Sequence, residues 1–373
     1  MKSIEIIRLN DIFKKSLDWN IQRITLLSLF ITSLIKVRTL NLSKLSQTFS
    51  TESMILSNYR RIQRFLSQFE MDFNIIAKLL FSFLPKMEKY VITIDRTNWK
   101  FGELNINILF LAIAYKGIAF PIIFKLLLKA ENEEQCKRGN SNTKERIELI
   151  QKFIEIFGIE KIDFVTGDRE FIGETWIQWL SNIELTYTLR IRDNINIFNS
   201  KGLLQAVKLS FKHLRVNESL IISRKIFGLK LNIIGMKLEN NEYLILITNY
   251  NNPDKALEMY KKRWEIETMF SAFKKRGFNL EDTKITDIKK LEKLIALLSI
   301  TFCWCYIIGE WRAEIKAIKF REDINAYTRT VLNYGLEYIH NILVNLHLKM
   351  DLFYKMTDLL LLPLQRFNEF VME

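Results

Sequence analysis

The chain has little cysteine and little histidine, 3 of each in 373 residues. Cys136, Cys303 and Cys305 are odd in number and lack metal-ligand spacing, so the sequence predicts three free thiols and no disulfide framework. His213, His340 and His347 are dispersed, with no HExxH and no Cys/His cluster, which disfavours a zinc site. Any bound metal is left to carboxylates. Long apolar runs are also missing. The longest uncharged one, Leu294 to Gly309, falls short of the roughly 20 residues that a bilayer requires and contains Ser299 and Thr301, which predicts a buried helix and no membrane partner. The first apolar stretch carries Glu5 and Asp11, unlike a secretory signal, and this predicts the cytoplasm.

A hydrophobic content of 49% is enough for one large core or two to three smaller ones. The 55 Lys plus Arg outnumber the 42 Asp plus Glu, for a formal net charge of +13. That excess favours a polyanion, nucleic acid before an anionic membrane surface.

Along the chain the hydrophobic period changes character several times. Residues 1–88 read as helices and are assigned as a DNA-binding domain. Within them "LSKLSQTFSTESMILSNYRRIQRFL" spells a short helix, a turn at Ser50 and Thr51, and a second helix carrying Arg60, Arg61 and Arg64, a pattern resembling a helix-turn-helix. A helical hairpin inside a bundle explains the same pattern. Residues 89–192 alternate in type: "YVITID" as a strand ending at Asp95, two further strands about a turn at Gly117, a helix capped in "GNSNTKER" and stopped at Gly158, the strand "KIDFVTGD" ending at Asp168, a helix, and the strand "LTYTLRI". This order predicts a ribonuclease H-like α/β catalytic core in which Asp95 and Asp168 lie at neighbouring strand ends. Residues 193–242 read as a β-rich insertion. From Arg190 to Lys237 there are ten Lys or Arg against two acidic residues, which points Arg224, Lys225 and Lys230 at phosphates. Residues 243–312 complete the core, with Pro253 opening one long helix, and residues 313–373 form a helical C-terminal region.

That long helix holds "YKKRWEIETMFSAFK". At about 100° per residue, Tyr260, Arg263, Glu267 and Lys274 fall within an arc of roughly 60°, beside the apolar arc of Ile266, Met269, Phe270 and Phe273. Glu265 points away from this stripe. Asp95, Asp168 and Glu267 together are the donor set for two-metal phosphoryl transfer, since hard oxygen ligands hold Mg²⁺ and two ions about 4 Å apart clamp the attacking and leaving oxygens. Arg263 and Lys274 would neutralise DNA phosphates beside them, and Tyr260 would bond a phosphate or stack on a base. For any one of these acidic residues alone, a surface ion pair is the simpler explanation.

The sequence resembles bacterial insertion-sequence transposases of the DDE type, in the IS-four-type family whose signature is Y-x-x-R-x-x-x-E-x-x-x-x-x-x-K. Tyr260, Arg263, Glu267 and Lys274 match that signature without a gap, and "TIDRTNWKFG" around Asp95 and "GDREF" around Asp168 look like the family's other two blocks. The resemblance runs from about Val37 to Lys274. It implies a ribonuclease H-like domain with a β-rich insertion, catalytic and metal-binding roles for Asp95, Asp168 and Glu267, and DNA-end contacts from Tyr260, Arg263 and Lys274. It further implies two Mg²⁺ ions, with Mn²⁺ as a substitute, and double-stranded DNA partners in the form of terminal repeats and target DNA. A homodimer on DNA and cut-and-paste transposition near the nucleoid complete the picture. Relatives hold a flipped base with a tryptophan in the insertion; this insertion has none, leaving Trp264 or Phe227 as substitutes. Two rival readings are a ribonuclease H-like nuclease or resolvase that cuts without joining, and a retired DNA-binding relic.

Overall fold

The computed structural model describes residues 3–101, 104–127 and 141–361. Cys136, the first two residues of "GNSNTKER" and the end of the 313–373 region lie outside the described residues. The chain divides into two compact units, one of Met1–Lys86, Trp99–Ile106 and Phe270–Glu373, the other of Met87–Asn98 and Asn107–Met269.

The first unit is mostly helical. It contains α1 (Ile4–Ser16), α2 (Ile21–Val37), α3 (Leu42–Gln47), α4 (Ile55–Gln68) and α5 (Phe73–Ser82). Helix α4 is strongly amphipathic: Ile62, Phe65 and Leu66 are buried, while Arg60, Gln63 and Arg64 are exposed.

The second unit is built on a mixed sheet. Strands β1 (Tyr90–Phe101), β2 (Leu104–Tyr115) and β3 (Ile118–Leu127) come first, then α6 (Thr143–Phe157), β4 (Ile162–Gly167), α7 (Glu174–Asn182) and β5 (Tyr187–Arg190). This is the element order expected from the sequence. Helix α6 starts where "NTKE" supplies a full capping box, the Asn142 side chain accepting from Glu145 N–H and the Glu145 carboxylate accepting from Asn142 N–H. It stops at Gly158, whose φ of +90° suits a residue without Cβ. Strands β6 (Asn196–Phe198) and β7 (Leu204–Ala206) pair with each other, and β8 (Ser219–Ile226), β9 (Leu229–Lys237) and β10 (Tyr243–Thr248) follow. The main sheet runs β3-β2-β1-β4-β5-β10-β9-β8. Strand β4 is parallel to both β1 and β5, and β10, β9 and β8 continue antiparallel, so two strands from the basic 193–242 stretch extend the main sheet to its edge.

Two elements differ from the sequence expectation. Strand β1 runs on to Phe101 instead of ending at Asp95, although its parallel ladder with β4 stops at the pair Ile94↔Gly167. The long helix expected from Pro253 is two: α8 (Pro253–Lys261), capped by Asn252, and α9 (Trp264–Phe273). At the break the backbone tightens to three-residue hydrogen bonds, with Arg263 N–H donating to Tyr260 C=O at 3.0 Å and Ile266 N–H to Arg263 C=O at 3.3 Å.

The first unit closes with α10 (Ile288–Ile315), the hairpin β11 (Phe320–Arg321) and β12 (Ala326–Tyr327), α11 (Val331–Val344) and α12 (Met350–Asp358). Helix α10 has the length and apolarity to cross a membrane, yet its central apolar stretch is buried inside the protein. Leu294 to Gly309 lies inside it, as a core helix.

Candidate active site

Asp95 and Asp168 meet because β1 and β4 are parallel neighbours. Ile94 pairs with Gly167, so each aspartate is the next residue beyond the last rung of the ladder. A tight turn sets Asp168, with Phe171 N–H donating to Asp168 C=O at 2.8 Å. The fully buried Phe171 ring lies over Gly167, where a Cβ would come within 3.2 Å of it. A larger residue at 167 would press the turn outward.

Charge at the site is unbalanced. Burial is the main cause that pushes the Asp95 carboxyl up to about 7; the Arg96 backbone N–H and Arg263 oppose it, and Asp168 and Glu170 add to it. Asp95 Oδ1 accepts from Arg96 N–H at 2.7 Å. Asp168 Oδ1 is buried without a hydrogen bond, and the Arg190 guanidinium stands 3.8 Å from it.

Arg263 joins the third carboxylate to the pair. The residue is 4% exposed, and its Nη1 donates to Glu267 Oε1 at 2.6 Å while lying 3.7 Å from Asp95 Oδ2. Its guanidinium sits 5.8 Å from the Tyr260 ring centre and 5.3 Å from that of Trp264. Tyr260 is 1% exposed, a core residue against which Arg263 rests. Arg263 and Tyr260 therefore face inward, toward the carboxylates and the core. Glu267 keeps half of its side chain in solvent.

Glu265, which the helical wheel sets apart, has a structural task. Burial raises its carboxyl pKa, opposed by a backbone hydrogen bond from Gly117 and a smaller one from Tyr115. It thereby fixes α9 to the β2–β3 turn, where Lys116 and Gly117 have φ of +46° and +87°. This places Glu267 two residues further along a pinned helix start.

Lys274 follows the end of α9 and pairs with Glu281 at 3.1 Å in the first unit. On α4, Arg60 and Arg64 are exposed and Arg61 is half-buried, next to a helix start where Met54, Ile55 and Leu56 are exposed. Lys225 and Lys230 are exposed and face each other across β8–β9, and Arg224 beside them is half-buried with its Nη1 on the Ser223 carbonyl.

Four further residues join the site. Arg96 and Glu170 lie in the two aspartate blocks, where residue type alone draws attention to the aspartates. Ser141 and Arg146 lie in "GNSNTKER", a helix cap that is also similar to a stretch of the insertion-sequence transposases. Their contacts form one network with Glu170 at its centre.

Among the described residues no group of three or more His, Cys, Asp or Glu side chains converges as a metal site. Asp95 and Asp168 suit a hard divalent cation as a pair: two adjacent oxygen donors, one with an unbonded buried oxygen and one whose charge burial disfavours. Glu267 is turned to Arg263 and stands outside that pair.

Residues 135–304 match the family described as "Transposase DDE domain". The matched stretch includes Asp168, Arg263 and Glu267 and begins after Asp95. No curated protein matches the chain. A solved structure described as a cryo-EM structure of piggyBac transposase synaptic complex with hairpin DNA is 13% identical, with a TM-score of 0.48 over 94% of this chain and 79% of that one.

Proposed function

We propose that this chain is a DDE transposase that binds the ends of an insertion element and catalyses metal-dependent cleavage and strand transfer of DNA. The observation that carries the proposal is the pair of aspartates at the open end of the parallel β1–β4 ladder, tied through Arg263 to Glu267. The match of residues 135–304 to a transposase DDE domain supports the same reading. The sheet order β3-β2-β1-β4-β5, with β4 parallel to its two neighbours and β3 antiparallel to β2, favours a ribonuclease H-like core. The gapless Tyr260, Arg263, Glu267, Lys274 signature favours the IS-four-type family within the DDE transposases.

In this reading Asp95 and Asp168 hold Mg²⁺, or Mn²⁺ in its place, and Glu267 joins them as third ligand. When bound, such ions activate the attacking oxygen and stabilise the leaving oxygen of a phosphodiester. The protein's own groups prepare the site. Arg263 neutralises Asp95 and holds Glu267 in reserve, and Arg190 partly balances Asp168. Exposed Arg60 and Arg64 with Arg61, and Lys225 and Lys230 with Arg224, take the DNA phosphates and so set register on the duplex without reading bases. Pairing two element ends calls for a homodimer on DNA.

The test is to incubate the protein with Mg²⁺ and DNA carrying the ends of its element and to sequence the products. Cleaved ends joined to target DNA are expected. Cleavage without joining would favour a nuclease or resolvase, and binding without cleavage a relic. Asp95→Ala, Asp168→Ala and Glu267→Ala should each abolish both steps and keep DNA binding. Substantial residual cleavage in one of them would remove that residue from the catalytic set.

A further inference from the structure

We infer that Arg96 and Glu170 form a positioning clamp that sets the separation of Asp95 and Asp168, an inference that rests on the catalytic reading of those aspartates. Arg96 follows Asp95 directly, and Glu170 lies two residues after Asp168. Arg96 Nε donates to Glu170 Oε1 at 3.1 Å and to Oε2 at 3.3 Å, and its Nη2 donates to Oε2 at 3.2 Å. This is a forked contact, planar group against planar group, which fixes orientation as well as distance. Both side chains are less than one-fifth exposed, so solvent screens the pair weakly.

The clamp is anchored at both ends. Arg96 Nη1 also donates to Asn107 Oδ1 on β2. Glu170 Oε1 also accepts from Ser141 N–H at 3.2 Å and Ser141 Oγ at 3.4 Å. Ser141 is in turn held by the buried Arg146, whose Nε donates to Ser141 Oγ at 2.9 Å. Arg146 Nη1 reaches the Ile172 carbonyl at 3.1 Å, and its guanidinium lies 5.3 Å from the Phe171 ring centre. The turn that carries Asp168 is thus gripped at 170, 171 and 172.

The need for such a grip follows from the backbone. The paired register of the parallel ladder ends at Ile94↔Gly167, so neither aspartate is itself a paired position and their side chains stand past the last rung. Arg96 and Glu170 supply the cross-link just past that point. Because like carboxylates repel, two ligands of one cation stay close before it binds only if something else holds them. Arg96 and Glu170 touch neither DNA nor cation in this scheme and act through the aspartates.

The readout is Mn²⁺ binding to the full chain without DNA, followed by electron paramagnetic resonance, together with thermal unfolding in EDTA and single-turnover cleavage across a Mn²⁺ titration. The variants are Glu170→Gln, which keeps the shape and loses the charge, and Arg96→Lys, which keeps the charge and loses the fork. Glu148→Gln, in the exposed pair with Lys125, is the control. For both clamp variants we expect Mn²⁺ affinity to fall about 10- to 100-fold, the usual effect of removing a residue that orients ligands. Cleavage should then recover toward the wild-type rate at high Mn²⁺, with only a few degrees lost in melting. Unchanged affinity in both variants overturns the clamp. So does a loss of cleavage that tracks melting and that Mn²⁺ does not rescue, since that is the mark of a purely structural role. If the wild type binds no Mn²⁺ and Asp168→Ala changes nothing, the parent reading fails instead.

Discussion

Arg263 is the residue on which the site turns. As a surface cation it would contribute little, about 0–1 kcal/mol. Buried between Asp95 and Glu267, it eases the charge on one carboxylate, against the larger effect of burial, and holds the direction of the other. Arg263→Ala should therefore slow single-turnover cleavage of pre-bound DNA by about 100-fold or more, because misplacing reacting groups by 1 Å costs that much. Its burial means that melting should also fall, by on the order of 2 kcal/mol of stability. Arg263→Lys should recover part of the rate, since it keeps the charge and loses the planar fork. Wild-type rates in both would remove Arg263 from the site. Asp95 offers a test without DNA. Its folded pKa of about 7 lies above the ordinary value of 3.8, so the folded state holds this proton more tightly than the unfolded one. Its contribution is fully present below about pH 4 and is lost as pH rises to about 7, at no more than about 1.4 kcal/mol per pH unit. In EDTA, the melting temperature of the wild type should decline against that of Asp95→Asn across this window and run parallel above it. A constant difference from pH 4 to 8 would contradict the shift.

At the scale of elements, two glycines set how closely α10 and α11 cross. A Cβ on Gly309 would lie 1.9 Å from the Val331 carbonyl oxygen, and one on Gly335 would lie 1.9 Å from that of Cys305. Backbone cannot yield as a side-chain tip does. Gly309→Ala or Gly335→Ala should push the helices apart and cost about 1–3 kcal/mol, read as a lower denaturation midpoint, whereas an unchanged midpoint would mean that the crossing adapts freely. The β8–β9 hairpin carries the opposite kind of signal. Lys225 and Lys230 are directly paired, an arrangement that destabilises a ladder unless an anion lies over it. Lys230→Glu should therefore raise the melting temperature slightly and weaken DNA binding, and it should flatten the slope of log affinity against log salt by about 1 or more. An unchanged slope would turn this edge away from DNA.

For the whole molecule, a net charge of +13 predicts steeply salt-dependent DNA binding, and the structure divides the candidate contacts by exposure. On α4, Arg60→Ala and Arg64→Ala should each reduce the salt slope, while Arg61→Ala, half-buried, should reduce stability more than the slope. Fluorescence anisotropy at several salt concentrations separates these outcomes. Equal slopes for Arg60→Ala and wild type would leave α4 as a packing helix.

Elements whose signals are local were legible in the sequence. The capping box at Asn142 and the stop at Gly158 delimit α6, Asn252 and Pro253 open α8, and Phe227 and Gly228 turn β8 into β9, because caps and turns are satisfied within a few residues. Asp95, Asp168 and Glu267 stood out by residue type and by strand or helix context. Their mutual arrangement did not, because it depends on partners far along the chain. A helical wheel places Tyr260, Arg263, Glu267 and Lys274 on one line, but it carries no knowledge of the Gly117 turn that pins Glu265 or of the buried space that draws Arg263 inward. Arg96 and Glu170 are 74 positions apart, and only the parallel pairing of β1 with β4 brings them within reach. Local chemistry thus selected the elements and the candidate acids, while the sheet register and burial decided which charges meet, since Coulomb and hydrogen-bond energies depend on distances that sequence spacing does not contain.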